Sequence, residues 1–174
     1  MDSKKWFKEA QFGMMIHFGL YSLLGGEWKG KRIDQIGEWA QSYFQIPNSE
    51  YHKLASVFNP IYFNAEEWVR TAKNAGMKYF VVTSKHHEGF ALFKSKASKF
   101  NSVDATPFGR DIIAELAEAC YKLDMKFGLY YSQAIDWSHP DGAPTKKYEL
   151  NCGVMEWSNV WDFPDIEHKD YMRC

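Results

Sequence analysis

The sequence has little charge imbalance and lacks a long apolar run. Its formal net charge is −1 over 174 residues, and Lys and Arg are scattered along the chain. The absence of a basic stripe argues against a nucleic-acid partner. The charged N-terminal segment MDSKKWFKEAQF resembles neither a signal peptide nor a membrane span. We therefore expect no membrane partner and, by default, a cytoplasmic protein, unless a leader has been removed.

Cysteine is scarce, and the sequence lacks the common zinc motifs. Cys120, Cys152 and Cys174 match no zinc spacing, and their odd number favours a reducing compartment. Neither H-E-x-x-H nor H-x-H occurs. The adjacent histidines His86 and His87 cannot easily chelate one ion from a regular strand. We therefore expect no metal at the functional site.

Signatures of two large enzyme classes are also absent. The first predicted strand–helix junction lacks the G-x-G-x-x-G of dinucleotide-binding proteins. No G-x-S-x-G elbow of a Ser-His-Asp hydrolase is present either. No internal repeat or linker divides the chain, so we expect one domain over residues 1–174 and no cofactor.

The sequence does contain an alternation of short apolar runs and amphipathic segments. Strands are predicted over residues 12–19, 78–84 and 126–132. Helices are predicted over residues 48–58, 64–76 and 110–123. Asn64 and Glu67 have the spacing of a capping box at the start of the second helix. This order predicts an α/β fold with a parallel sheet and right-handed crossovers, either a barrel or an open sheet.

Polar and aromatic residues follow each predicted strand, where parallel α/β folds bind their ligands. They are His17 after the first strand, His86 and His87 after the second, and Tyr130 or Tyr131, Ser132, Asp136 and Trp137 after the third. Such groups can hydrogen-bond several hydroxyls while an aromatic face packs on C–H groups. The combination suits a monosaccharide.

Each of these residues also has a structural interpretation. A lone histidine in an apolar strand, such as His17, is more often a satisfied core residue. Neighbouring strand residues point to opposite faces. We therefore expect only one of His86 and His87 to face a ligand, unless the strand ends there, and only one of Tyr130 and Tyr131.

Four stretches resemble the catalytic domain of the α-L-fucosidases, the retaining glycoside hydrolase family often numbered 29. They are IHFGLYS, GEW, SKHHEGF and FGLYYS, and they occur in family order within a likeness that runs from about Trp6 to Asp165. The resemblance implies a (β/α)8 TIM-barrel-like fold, of which we expect only about the first three βα units in residues 1–174, with no second domain. It also implies hydrolysis of terminal α-L-fucosides with retention, without metal, and a fucosylated oligosaccharide or glycoconjugate as the partner.

The resemblance also implies roles for individual residues. His17 matches a histidine that binds a fucose hydroxyl, and His86 and His87 match a pair that follows the second strand. Tyr131 is the predicted tyrosine of the third strand, with Tyr130 as the alternative by strand parity.

Glu38 and Trp39 match the family's EW pair that reaches the sugar. A second pair, Glu27–Trp28, competes with them. The context GEW followed by IP..EY favours Glu38–Trp39.

Retention requires two carboxyl groups about 5–5.5 Å apart. In the family the nucleophile is an aspartate at the end of the fourth strand, in a W-[FN]-D-like segment. Trp161 and Asp162, in NVWDFPD, instead resemble the loop ahead of the preceding helix. We therefore expect the nucleophile and the usual acid/base to lie outside this chain. Glu38 is a candidate acid/base or helper.

A chain without the nucleophile should have little or no turnover by itself. Two alternatives remain open at this stage. One is a non-catalytic carbohydrate-binding fragment, and the other is a metal-dependent hydrolase on a similar barrel.

Overall fold

The computed structural model describes residues 3–142 and 158–164, so Cys152 and Cys174 lie outside the described residues. The helices are α1 (Ser3–Ala10), α2 (Tyr21–Leu24), α3 (Ala40–Tyr43), α4 (Asn48–Tyr51), α5 (Ala65–Asn74) and α6 (Ile112–Lys122). The strands are β1 (Met14–Ile16), β2 (Glu27–Trp28), β3 (Lys31–Arg32), β4 (Tyr79–Lys85) and β5 (Lys126–Tyr131). Two 3₁₀ helices span Gly37–Trp39 and His52–Val57.

The three predicted strands form one parallel sheet in the order β1-β4-β5. Helix α5 lies between β1 and β4 in the chain, and α6 lies between β4 and β5. The predicted α/β class is therefore confirmed. Strand β1 is shorter than the predicted run, because the Phe18 N–H bonds to Thr83 Oγ1 (3.0 Å) after the ladder ends at Ile16.

Strand β4 is the centre of the sheet and is buried over most of its length. The main hydrophobic core joins it to the buried sides of α5 and α6 through residues such as Val69, Ala72, Phe80, Ile112 and Leu116. Because β4 is covered on both faces, its first four residues, YFVV, form a continuous apolar run instead of an alternating one.

Side-chain caps mark where the two crossover helices begin. Asn64 Oδ1 accepts the Glu67 N–H (3.1 Å), which confirms the predicted start of α5. Asp111 Oδ1 accepts the Ala114 N–H (2.8 Å) at the start of α6. The helix predicted over residues 48–58 is in fact α4 followed by a 3₁₀ helix. Among the described residues, no helix is both long and apolar enough to cross a bilayer.

The segment 158–164 packs on the loop that follows β5. The Asn159 amide donates to the His139 carbonyl (2.7 Å), and the Trp161 ring lies 6.1 Å from that of Trp137. Asp162 Oδ2 accepts the Asn48 N–H (2.8 Å) at the start of α4. Asp162 therefore anchors a loop, which agrees with the interpretation of this segment from sequence.

Candidate active site

His17, Glu38 and His86 come together although they belong to three separate segments. His17 follows β1, Glu38 lies in the 3₁₀ helix Gly37–Trp39, and His86 follows β4. His17 Nε2 lies 3.8 Å from Glu38 Oε1, and the two imidazole centroids are 5.5 Å apart. His86 is buried, whereas the His17 side chain is 36% exposed, so the group opens to solvent on the His17 side.

Tyr130, and not the predicted Tyr131, joins this group. Its ring stacks on His86, with centroids 5.6 Å apart and planes 27° apart, and lies 6.1 Å from His17. The Tyr131 ring is half exposed and lies 5.0 Å from Lys85 Nζ. The choice of Tyr131 is corrected to the parity alternative, because successive strand residues project from opposite faces of the sheet.

His86 and His87 both enter the cluster. Strand β4 ends at Lys85, so the alternation of a regular strand no longer separates the two rings, and their centroids are 4.1 Å apart. His87 also contacts Trp39 (5.0 Å) and Trp137 (5.3 Å) in edge-to-face geometry. The paired histidines therefore connect His17 and Glu38 to the indole rings of Trp39 and Trp137.

The competing pair Glu27–Trp28 is placed elsewhere. It forms β2, which pairs with β3 in a short antiparallel hairpin. Glu27 is exposed, and the Trp28 ring lies 5.4 Å from Lys29 Nζ. Of the two EW pairs, Glu38–Trp39 is the one beside the histidines.

Both paired histidines are neutral near pH 7. Burial, together with the neighbouring His87 and His17, lowers the pKa of His86 to about 2. Burial and the charge of Lys85 lower the pKa of His87 to about 4. A neutral imidazole has one N–H donor and one lone-pair acceptor. His86 Nδ1 is buried and has no hydrogen-bond partner among the described residues.

Ser132 sets the tautomer of His87. The Ser132 hydroxyl donates its single proton to the Ile135 carbonyl (2.6 Å). It must therefore accept a hydrogen bond from His87 Nδ1–H, which lies 2.6 Å away. In the neutral ring, His87 Nε2 consequently carries the lone pair and acts as the acceptor.

A buried ion pair supports the loop after β5. Lys85 Nζ lies 2.6 Å from Asp136 Oδ2, and both side chains are largely buried. Asp136 Oδ1 also accepts the Ser138 N–H and hydroxyl. Sequence reasoning placed Asp136 near the site but missed Lys85, whose signal was a lysine at the end of a buried strand, directly before the paired histidines.

The spacing of the cluster would also suit a divalent cation. One ligating atom each from His17, Glu38 and His86 lies within 4.8 Å of the other two. Two imidazoles and a carboxylate are ordinary zinc ligands. The sequence argument against metal concerned local motifs and the adjacent pair His86–His87, so it does not cover a group assembled from three separate segments.

Comparison with known proteins identifies one family. A family model described as Alpha-L-fucosidase matches residues 1–170. A putative alpha-L-fucosidase from Caenorhabditis elegans is 40% identical over 144 residues, and the plasma alpha-L-fucosidase of Homo sapiens is 38% identical over 144 residues. Both matches cover 78% of this chain, but only 29% and 30% of the relatives. The chain thus spans less than a third of these curated relatives.

Solved structures agree with this result. The alpha-L-fucosidase AlfC from Lactobacillus casei, in complex with alpha-L-fucose product, is 54% identical and matches with a TM-score of 0.94. The match covers 100% of this chain and 54% of AlfC. A variant of AlfC in complex with Fuca(1,6)GlcNAc matches with the same TM-score. The chain therefore spans about half the length of AlfC.

Proposed function

Because the chain belongs to the alpha-L-fucosidase family, we propose that the cluster around His17, Glu38 and His86 binds the fucose ring of a terminal α-L-fucoside. Its family membership classifies the chain as a glycoside hydrolase. The activity proposed for the whole protein is hydrolysis of α-L-fucosides with retention. The observation that carries the proposal is the convergence of His17, Glu38 and His86 from three separate segments.

The chemistry of the cluster supports a sugar ligand. Its polar members are three imidazoles, of which those of His86 and His87 are neutral, a carboxyl group and the Tyr130 phenol; together they offer both donors and acceptors to hydroxyl groups. Trp39 and Trp137 pack edge-to-face beside His87, and both are buried. The hydroxyl groups of a sugar such as fucose match the polar members of the cluster.

Glu38 is the proposed acid/base or helper. Its Oε1 lies 3.8 Å from His17 Nε2, so its carboxyl group stands beside the imidazole and can exchange hydrogen bonds with a sugar hydroxyl placed between them. A retaining mechanism needs a second carboxyl group as nucleophile. Asp162 anchors a loop through the Asn48 N–H, and the family resemblance implies a nucleophile at the end of a fourth strand, so we propose that the nucleophile is a different residue, outside residues 1–174.

We further propose that residues 1–174 form the N-terminal part of a (β/α)8 barrel. The support is the parallel order β1-β4-β5 with helices α5 and α6 as crossovers. Among the described residues, β1 and β5 have no further strand on their outer edges, and Met15 and Leu129 on these strands are about half exposed. Further barrel strands would pair with these edges.

Calorimetric titration of the purified chain with L-fucose tests the site. We expect saturable binding that His17→Ala and Glu38→Gln each weaken by about tenfold, since each removes a hydrogen-bonding group. Glu27→Gln is the matched control, and it should bind like the unaltered chain. A folded chain that does not bind L-fucose, or equal loss in the Glu27 variant, would contradict the proposal.

Turnover is tested separately with an aryl α-L-fucoside and with Fuca(1,6)GlcNAc. We expect little or no hydrolysis by the 174-residue chain, because the proposed nucleophile is not in it. Robust turnover would show that the nucleophile has been assigned to the wrong place.

A metal-dependent hydrolase is the second candidate, supported by the distances among His17, Glu38 and His86. It predicts stoichiometric zinc in the purified chain and loss of sugar binding after chelation. The fucoside proposal predicts unchanged L-fucose affinity after dialysis against a chelator. Elemental analysis before and after dialysis distinguishes the two.

A further inference from the structure

Glu88 is a buried carboxylate next to the paired histidines, yet it does not belong to the sugar-binding cluster. Only 1% of its surface is exposed. Its Oε1 accepts the Leu20 N–H (3.1 Å), and its Oε2 accepts the Tyr51 hydroxyl in a short hydrogen bond. The carboxylate therefore connects the loop after β4 to two other segments of the chain.

One of those segments leads directly from a member of the proposed site. Leu20 lies three residues after His17, in the turn between β1 and α2. Tyr51 ends α4, which is separated from the 3₁₀ helix of Glu38 by α3. Glu88 itself directly follows His87. A single side chain thus joins the segment after β4 to the turn that follows His17 and to α4.

The backbone at Gly19 packs closely against the Glu88 carboxyl group. A Cβ atom on Gly19 would lie 2.7 Å from a Tyr21 ring carbon and closer still to Glu88 Oε1. Glycine at this position therefore allows the backbone after β1 to approach the carboxylate.

A second hydrogen-bond centre holds the same turn. The Thr83 hydroxyl donates to the Phe18 carbonyl (3.0 Å) and accepts the Phe18 N–H (3.0 Å). The Tyr21 hydroxyl lies 3.1 Å from Thr83 Oγ1 and donates to it, because the only Thr83 proton is already used. Thr83 thus holds the start of the turn against β4, and Glu88 holds its end.

Burying this carboxylate works against stability. Burial raises the pKa of Glu88 to about 7, although the hydrogen bonds from Tyr51 and Leu20 oppose the rise. A well-packed apolar side chain of similar volume would avoid this desolvation cost. The hydrogen bonds that oppose this cost also link the segments they join.

We propose that Glu88 is a positioning residue for the sugar site, whose carboxylate holds the turn after β1 so that the His17 ring keeps its place against His86 and Glu38. The expected effect on fucose binding rests on the proposed function. The positional claim itself concerns only this chain's own side chains and can be tested without a ligand.

The experiment compares the unaltered chain with Glu88→Gln and Tyr51→Phe by heteronuclear NMR of the histidine rings and by titration with L-fucose. Glu88→Gln keeps the size of the side chain but sets an amide N–H₂ against groups that donate to the carboxylate. Tyr51→Phe removes one of those donors and leaves the carboxylate in place. We expect both variants to shift the His17 and His86 ring signals, and Glu88→Gln to weaken L-fucose binding by about tenfold.

Asn101→Ala is the matched control for a buried polar residue. Asn101 is fully buried and organises its own loop through hydrogen bonds with Ser98, Val103 and Asp104. Its loss should lower the unfolding midpoint without shifting the His17 and His86 signals or the affinity for L-fucose. Equal shifts in Asn101→Ala would mean that the histidines respond to general loosening, which would overturn the inference.

The histidine ring signals test the positional claim, and the affinity for L-fucose tests the sugar-site proposal. If the unaltered chain does not bind L-fucose but Glu88→Gln still shifts both ring signals, the sugar-site proposal fails and the positional claim stands. If Glu88→Gln and Tyr51→Phe leave both ring signals and the affinity unchanged, Glu88 does not position His17.

Discussion

The ring of Tyr130 stacks on the ring of His86, with centroids 5.6 Å apart and planes 27° apart. The two residues lie on neighbouring parallel segments, Tyr130 in β5 and His86 immediately after β4. Their contact connects the third parallel strand of the sheet to the His17–Glu38 group.

This contact separates the roles of two adjacent tyrosines. We expect Tyr130→Leu to weaken L-fucose binding by about tenfold, because it removes both the phenol and the aromatic face beside His86. Tyr131→Leu is the matched control and should change the affinity by less than about twofold, since the Tyr131 ring lies beside Lys85. Calorimetric titration measures both. A larger effect of Tyr131→Leu would restore Tyr131 as the sugar contact.

Ser132 should determine which nitrogen of His87 is protonated. In Ser132→Ala, His87 Nδ1–H loses its acceptor, so we expect a mixture of tautomers and an affinity for L-fucose about threefold to tenfold lower. Nitrogen chemical shifts of the His87 ring report the tautomer directly. Ser56→Ala is the control, because the Ser56 hydroxyl bonds to the Lys53 carbonyl at the surface. An unchanged His87 spectrum in Ser132→Ala would refute the tautomer assignment.

Glu88 and the paired histidines should affect the pH dependence of stability in opposite directions. His86 and His87 have native pKa values of about 2 and about 4, below the ordinary 6.5, so unfolding takes up protons and stability falls as the pH drops below 6.5. Glu88 has a native pKa of about 7, above its ordinary 4.5, so unfolding releases a proton and stability rises as the pH drops from 7 to 4.5.

Replacing Glu88 by Gln removes the opposing contribution. Between about pH 6 and pH 5, inside this window, the free energy of unfolding should fall more steeply with decreasing pH than in the unaltered chain, by about 1 kcal/mol per pH unit. Urea unfolding at several pH values measures the slopes. The other titratable residues that face His86, His87 and Glu88 are the same in the unaltered chain and in the variant. They are His17, Tyr21, Tyr51, Lys85 and Asp136. Equal slopes would show that Glu88 does not titrate as described.

Gly19 should not tolerate a side chain. Gly19→Ala places a methyl group against Glu88 Oε1 and the Tyr21 ring, and we expect it to reduce the free energy of unfolding by about 1–3 kcal/mol. Gly37→Ala is the control, because the nearest atoms to its Cβ lie 3.8 Å away. Thermal unfolding of the two variants makes the comparison. Equal stability of the two would contradict the close approach at Gly19.

The elements of the sheet were predictable because their signals are local. The continuous apolar run of β4 and the stripes of α5 and α6 depend on neighbouring residues in the chain, and so does the Asn64 cap. The order β–α–β–α–β then leads to a parallel sheet, because right-handed crossovers are strongly preferred. The extent of β1 was overestimated because the Phe18–Thr83 hydrogen bond joins residues 65 positions apart.

The sequence by itself determined the α/β class, the family resemblance and the residue types at the ends of the parallel strands, since each depends on periodicity or on contiguous motifs. Only the tertiary structure decided that Tyr130 and not Tyr131 meets His86, that Glu38 reaches His17, and that Glu88 joins the segments behind them. These contacts depend on strand register, on where β4 ends and on the close approach of loops distant in the chain, and local sequence signals do not encode distances across such loops.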